Sequence, residues 1–113
     1  VIEIHPPDGQ EFDYENNYTG LTAEICPAES VDRVTQATAQ RVAEKVHKTV
    51  GCRHLSRVDM IIRPSGEMVV LEINTVPGLT DQSLYPKSAA VAGLPMPKLV
   101  GKFAEMVVRD YNL

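Results

Sequence analysis

The run LSRVDMIIRPSGEMVVLEIN, residues 55–74, limits the fold of this chain more than any other feature. Its middle, PSGE, is turn chemistry and both flanks are rich in β-branched and aliphatic residues, so the run predicts an antiparallel hairpin. With Ser65-Gly66 at the centre of the turn, Pro64 faces Glu67 and Arg63 faces Met68. Asp59 then lies opposite Glu72, and Arg57 opposite Asn74. Side chains alternate across a strand, so Val58, Met60, Ile62, Val69, Leu71 and Ile73 share the expected core face. The other face carries Arg57, Asp59, Ile61 and Arg63 against Met68, Val70, Glu72 and Asn74.

Directly opposed carboxylates repel at cross-strand Cα separations of roughly 4.5–5.5 Å. Arg57 offsets that repulsion only partly. A divalent cation would offset it outright, because hard cations take the oxygen ligands that Asp59, Glu72 and Asn74 supply. A solvated face with a scattered ion pair is the plainer explanation for an arbitrary hairpin. Ile61 and Val70 count against it here, since a cleft floor covered by another domain turns apolar in mid-strand and a solvated face does not. β-strand exit then runs through Pro77-Gly78 to Ser83, where a helix is predicted to start. A helix start favours an anion such as a carboxylate or phosphate. Gly78 lets the backbone approach a ligand closely and can present its N–H to a developing oxyanion. Singly, these are a serine cap and a turn glycine. Their succession from Glu72 to Ser83, within twelve residues, carries the functional reading.

Elsewhere VIEIH, residues 1–5, reads as a strand stopped by Pro6 and Pro7, and a strand needs a partner. The expectation is that the chain is the C-terminal part of something longer. Residues 6–29 form a long loop in this reading, of the length that is often functional. A helix is expected over 31–50, with Ser30 as N-cap, Asp32 in the first turn, a core stripe of Val31, Val34, Thr38, Val42, Val46 and Val50, and Gly51 as its end. A short helix over 83–92 tolerates Pro86 in its first turn and closes at Gly93. The last, over 97–111, starts at Pro97 and buries Leu99, Val100, Phe103, Met106 and Val107. The fold class is α+β: a hairpin-containing antiparallel sheet packed against helices.

At 113 residues there is one domain at most, and a net charge of −4 without a basic run argues against nucleic acid. No apolar stretch reaches membrane-spanning length, and the N-terminus lacks a signal-peptide pattern. Cys26 and Cys52 read as idle thiols of a reducing cytoplasm, and His5, His47 and His54 have no ligand spacing. Lys87, one turn past Ser83, is read as a surface lysine or a charge near a bound carboxylate.

RVD (57–59), LEIN (71–74) and PGLTDQS (77–83), with FDYENNY (12–18) and CPA (26–28) upstream, resemble the C-terminal part of D-alanine:D-alanine ligases of the ATP-grasp superfamily. The resemblance covers nearly the whole chain. It implies the C-terminal portion of an ATP-grasp fold, incomplete without N-terminal and central domains. It further implies that Asp59, Glu72 and Asn74 coordinate two Mg²⁺ ions (Mn²⁺ as a substitute) on ATP, and that Arg57 and the Gly78 N–H stabilise the oxyanion. Ser83 and the Leu84 backbone would hold the second D-alanine's carboxylate, and Tyr18 would belong to a loop over the site. The implied reaction is ATP-dependent D-Ala-D-Ala synthesis for peptidoglycan in the bacterial cytoplasm, by an enzyme that is often a homodimer. The fragment alone is expected to be inactive. Asn17 departs from the family's lysine before the tyrosine. It favours the alternative of a non-catalytic metal- or anion-binding module. A ligase using another acceptor, such as D-lactate, is the third possibility, and Tyr18 argues against it.

Overall fold

A computed structural model describes residues 1–6 and 22–112. The elements are β1 (Glu3–His5), β2 (Ala23–Ile25), α1 (Arg33–Val50), β3 (Arg57–Ile62), β4 (Met68–Asn74), α2 (Leu84–Val91) and α3 (Met96–Tyr111). Among the described residues there are two two-stranded antiparallel sheets, β1–β2 and β3–β4. This is the α+β architecture expected.

β1 finds its partner inside the stretch read as loop 6–29: Glu3 pairs with Ile25 and His5 with Ala23. Three residues are too few for alternation to announce a strand. Glu3 also ties this sheet to the lead-in of α1, its carboxylate accepting the backbone N–H groups of Glu29 and Ser30, each at 2.9 Å. The hydroxyl and N–H of Ser30, the N–H of Glu29 and a contact with His5 lower the Glu3 carboxyl from 4.5 to about 2. Donors aimed at a carboxylate favour its charged form.

Asp32, not Ser30, caps α1: its Oδ1 accepts the N–H of Thr35 at 2.7 Å, which also lowers its own pKa. At the other end Gly51, in the left-handed region at φ 76°, donates to Lys48 O, and Cys52 N donates to His47 O. That bond pair terminates the helix. The expected stripe holds at Val31, Thr38, Val42 and Val46, which are half-buried, and fails at Val34 and Val50. Val34 is 74% exposed and Val50 59%, while Ala39 is buried and Thr35, Val42, Ala43 and Val46 are half-buried. Within the helix the repeat of every fourth residue drifts by roughly 40° per step at 3.6 residues per turn, so Val34 and Val50, at its two ends, turn outward.

The hairpin differs from expectation near its turn. Gly66 N donates to Arg63 O at 2.8 Å and Arg63 N to Glu67 O at 2.9 Å, leaving a three-residue loop, Pro64-Ser65-Gly66, with Gly66 at φ 85°. Ile62 therefore pairs with Met68 and Met60 with Val70, one residue off the predicted register. An irregularity between Asp59 and Met60 then absorbs the spare residue, Leu71, and restores Asp59 opposite Glu72 and Arg57 opposite Asn74. Two one-residue offsets cancel. The bulge has a visible consequence: Leu71, assigned to the core face, is 59% exposed.

α1 packs against β3 and β4, and α2 against α3. Leu84 and Leu99 are buried between the last two helices, and the Tyr85 and Phe103 rings stand 6.4 Å apart there. α3 begins one residue before Pro97; Phe103 and Met106 are half-buried as expected, whereas Val100 and Val107 face outward. No helix among the described residues is long and apolar enough to cross a membrane.

Candidate active site

The polar end of the hairpin is built by the first residues of β3 and the last of β4. Arg57 lays its planar fork on Asp59: Nε donates to Oδ1 at 2.7 Å and Nη2 to Oδ2 at 2.9 Å. Such bidentate pairs fix orientation as well as charge. The same Nη2 lies 3.6 Å from Glu72 Oε1 on the facing strand. Arg57 and Asp59 side chains are about three-quarters covered (26% and 24% exposed), while Glu72 is 63% exposed and open to a ligand. The Leu71 bulge stands immediately before Glu72, where an extra residue re-aims the side chain that follows.

Asn74 ends β4 by accepting the N–H of Val76 on its side-chain oxygen at 3.0 Å. That Asx-type turn leads the chain through buried Pro77 to Gly78. A Cβ on Gly78 would stand 2.7 Å from Ser83 Oγ, so a side chain there would force that hydroxyl to turn. Ser83 Oγ accepts the N–H of Thr80 at 3.1 Å and shares a hydrogen bond of 2.8 Å with Thr80 Oγ1. Ser83 thus holds the N-cap position of α2 without a side-chain cap bond. Pro86, third in the helix, has no N–H to offer such a cap. The Leu84 and Tyr85 N–H groups open the helix with no intrahelical acceptor, as first-turn donors do.

The donor set fits Mg²⁺ bound with a substrate. Among the described residues no group of three or more His, Cys, Asp or Glu side chains is gathered to hold a metal unaided. Asp59 and Glu72 are two opposed carboxylates with the Asn74 amide at the strand end. Mg²⁺ is typically held by one or two carboxylates plus phosphate oxygens and water. The Arg57 fork occupies one lone pair on each Asp59 oxygen and leaves acceptor capacity free.

Of the residues singled out in the sequence, Arg57, Asp59, Glu72 and Asn74 meet at one hairpin end, and Gly78, Ser83 and Leu84 form the loop and helix start that follow. Tyr18 and Asn17 lie outside the described residues. The histidines go to separate partners, His5 to Glu3, His47 to Ser56 and His54 to Asp110. Lys87 is ion-paired with Glu24 of β2, a contact across 63 residues that leaves no local sequence signal.

A family model described as D-ala D-ala ligase C-terminus matches residues 1–105. The chain belongs to that family. A D-alanine–D-alanine ligase of Syntrophobacter fumaroxidans is 43% identical over 112 residues, which are 97% of this chain and 35% of the relative. One from Nitratidesulfovibrio vulgaris is 42% identical over 106 residues, again 35% of its length. The chain therefore spans about a third of the curated relatives it matches. Among solved structures, the D-alanine–D-alanine ligase of Bacillus anthracis superposes with a TM-score of 0.76 at 31% identity, covering 96% of this chain and 34% of that one. A D-Ala:D-Ser ligase from Enterococcus faecalis superposes with a TM-score of 0.75 at 32% identity, over 93% of this chain and 30% of its own.

Proposed function

We propose that the chain is the C-terminal catalytic part of an ATP-dependent D-alanine:D-alanine ligase that makes the D-Ala-D-Ala dipeptide for peptidoglycan in the bacterial cytoplasm. The observation that carries the reading is the hairpin's polar end, where Asp59 faces Glu72 beneath the Arg57 fork and the strand exits toward Ser83. In the reaction, a carboxylate oxygen of the first D-alanine attacks the γ-phosphorus of ATP. The bond to ADP breaks and an acyl phosphate forms. The amine of the second D-alanine then attacks the acyl carbon; a C–N bond forms, phosphate leaves and the nitrogen loses a proton.

Asp59, Glu72 and Asn74 are the residues that would hold two Mg²⁺ ions, with Mn²⁺ as substitute. Metal held there would supply positive charge against the ATP phosphates. Arg57, locked by its two bonds to Asp59, would meet the oxyanion without having to be ordered during the reaction. The Gly78 N–H is the second donor. Ser83 and the Leu84 N–H hold the acceptor's carboxylate: Oγ keeps the Thr80 N–H bond and gives its own proton to the ligand. Tyr18, which the resemblance associates with D-alanine as acceptor, lies outside the described residues, and the resemblance makes the whole enzyme one of a family that is often homodimeric.

The test is the gene product carrying residues 1–113, incubated with ATP, Mg²⁺ and D-alanine, alone or with D-serine or D-lactate, with products separated by mass. The reading expects D-Ala-D-Ala, with one ADP and one phosphate per bond made. Release of no D-alanine-dependent ADP would instead favour the metal- or anion-binding module that Asn17 suggests. The 113-residue piece alone should form no dipeptide, since about two thirds of the relatives' length lies outside the match.

A further inference from the structure

We propose that the ion pair between Glu24 of β2 and Lys87 of α2 positions the acceptor substrate. Glu24, acting through Lys87, fixes the first turn of α2 and with it the Ser83 and Leu84 groups that grip the acceptor's carboxylate. The inference rests on the ligase reading above and adds two positioning residues that touch no reacting atom.

α2 begins weakly. Its cap residue's hydroxyl accepts the Thr80 N–H instead of capping the helix, Pro86 removes one donor, and no acidic residue stands in the first turn. The first bond closing the helix, Lys87 N to Ser83 O, is 3.5 Å long. Lys87 moreover places a positive charge where the helix dipole is itself positive, an unfavourable arrangement unless countered. Glu24 supplies the counter-charge. Its side chain is only 15% exposed and that of Lys87 38%, so solvent screens the pair less than one on open surface.

The far end of the pair is anchored. β2 is laddered to β1, and Glu3 of β1 is bonded to the Glu29 and Ser30 N–H groups. On the α2 side, buried Leu84 and the Tyr85–Phe103 contact determine which surface the helix lies on. Apolar contacts are non-directional, so they leave rotation of so short a helix about its axis loosely set. A charge-assisted bond to an anchored strand sets it. That rotation decides where Ser83 and Leu84 point their donors.

A direct grip of Lys87 on the acceptor carboxylate predicts the opposite sign for one variant, which makes the proposal decidable. In the gene product carrying residues 1–113, ADP release is followed against acceptor D-alanine at saturating ATP, with thermal melting run beside it. Glu24→Gln and Lys87→Gln should each raise the acceptor KM about fivefold, with kcat and the KM for ATP unchanged. The double variant should be no worse than either single, and Lys87→Arg, which keeps the pair, should stay within about twofold of wild type. A fall in acceptor KM in Glu24→Gln would overturn the proposal, as would effects that multiply in the double variant. So would melting shifts or losses of folding in the two glutamine variants while Lys87→Gln leaves the acceptor KM alone. If wild type itself makes no dipeptide, the ligase reading fails; if wild type is active and the variants match it, only this inference fails.

Discussion

Gly78 and Ser83 are joined by a contact whose loss has a calculable cost. A methyl group on Gly78 would stand 2.7 Å from Ser83 Oγ, roughly 0.8 Å inside ordinary van der Waals separation. Its backbone is not in the left-handed region, so Gly78→Ala carries no penalty of its own there. The cost falls on Ser83, whose hydroxyl must turn away and give up its bonds to the N–H and hydroxyl of Thr80, at 3.1 and 2.8 Å. At about 1 kcal/mol for each bond, the loop loses about 2 kcal/mol, which is roughly thirtyfold in a local opening equilibrium. Amide hydrogen exchange at Thr80 reads that equilibrium directly and should quicken by that factor in Gly78→Ala. In a Ser83→Ala background the Thr80 bonds are already gone and the new methyl meets only the Ser83 Cβ position, at 3.4 Å. There Gly78→Ala should add less than about threefold, because the two sites share one interaction. A full thirtyfold effect persisting without the Ser83 hydroxyl would refute the reasoning, as would unaltered exchange in the single variant.

Glu3 gives a prediction in pH. Its folded carboxyl lies near 2, below the ordinary 4.5, so its contribution is fully present above 4.5 and is lost as pH falls toward 2. Glu3→Gln should flatten that part of an acid-unfolding curve; an unchanged acid limb would mean the Glu29 and Ser30 bonds do not form in solution. Arg57→Ala should lower kcat by about two orders of magnitude, the usual loss for an oxyanion donor, without raising the Mg²⁺ concentration for half-activity. A parallel rise in Mg²⁺ requirement would show that the fork chiefly orders Asp59 for the metal.

The sequence made the polar end of the hairpin legible because alternation assigns faces without reference to the rest of the fold. Asp59 opposite Glu72 survives even though the predicted turn is one residue too short, since the Leu71 bulge compensates. A bulge has no dependable local signature; it is set by how the strand must twist, and so Leu71 could not be moved off the core face in advance. The valine stripe of α1 failed at its ends for a geometric reason, the drift of a four-residue repeat, with Asp32 taking the cap one turn from Thr35. Gly78 and Ser83 were visible as residue types, but their mutual contact was not. Glu24 and Lys87 were beyond reach for another reason: an ion pair between distant segments becomes apparent only after the sheet and the helix are docked.

The measurement closest to the central claim is the turnover of Glu72→Gln in the gene product carrying residues 1–113. The substitution keeps size and shape at a position 63% exposed, so folding should be spared, while the carboxylate facing Asp59 is lost. The account predicts a fall in D-alanine-dependent ADP release of about a hundredfold or more, with the acceptor KM little changed. Turnover within a few-fold of wild type would contradict it, and the hairpin's polar end would not be where the phosphates are held.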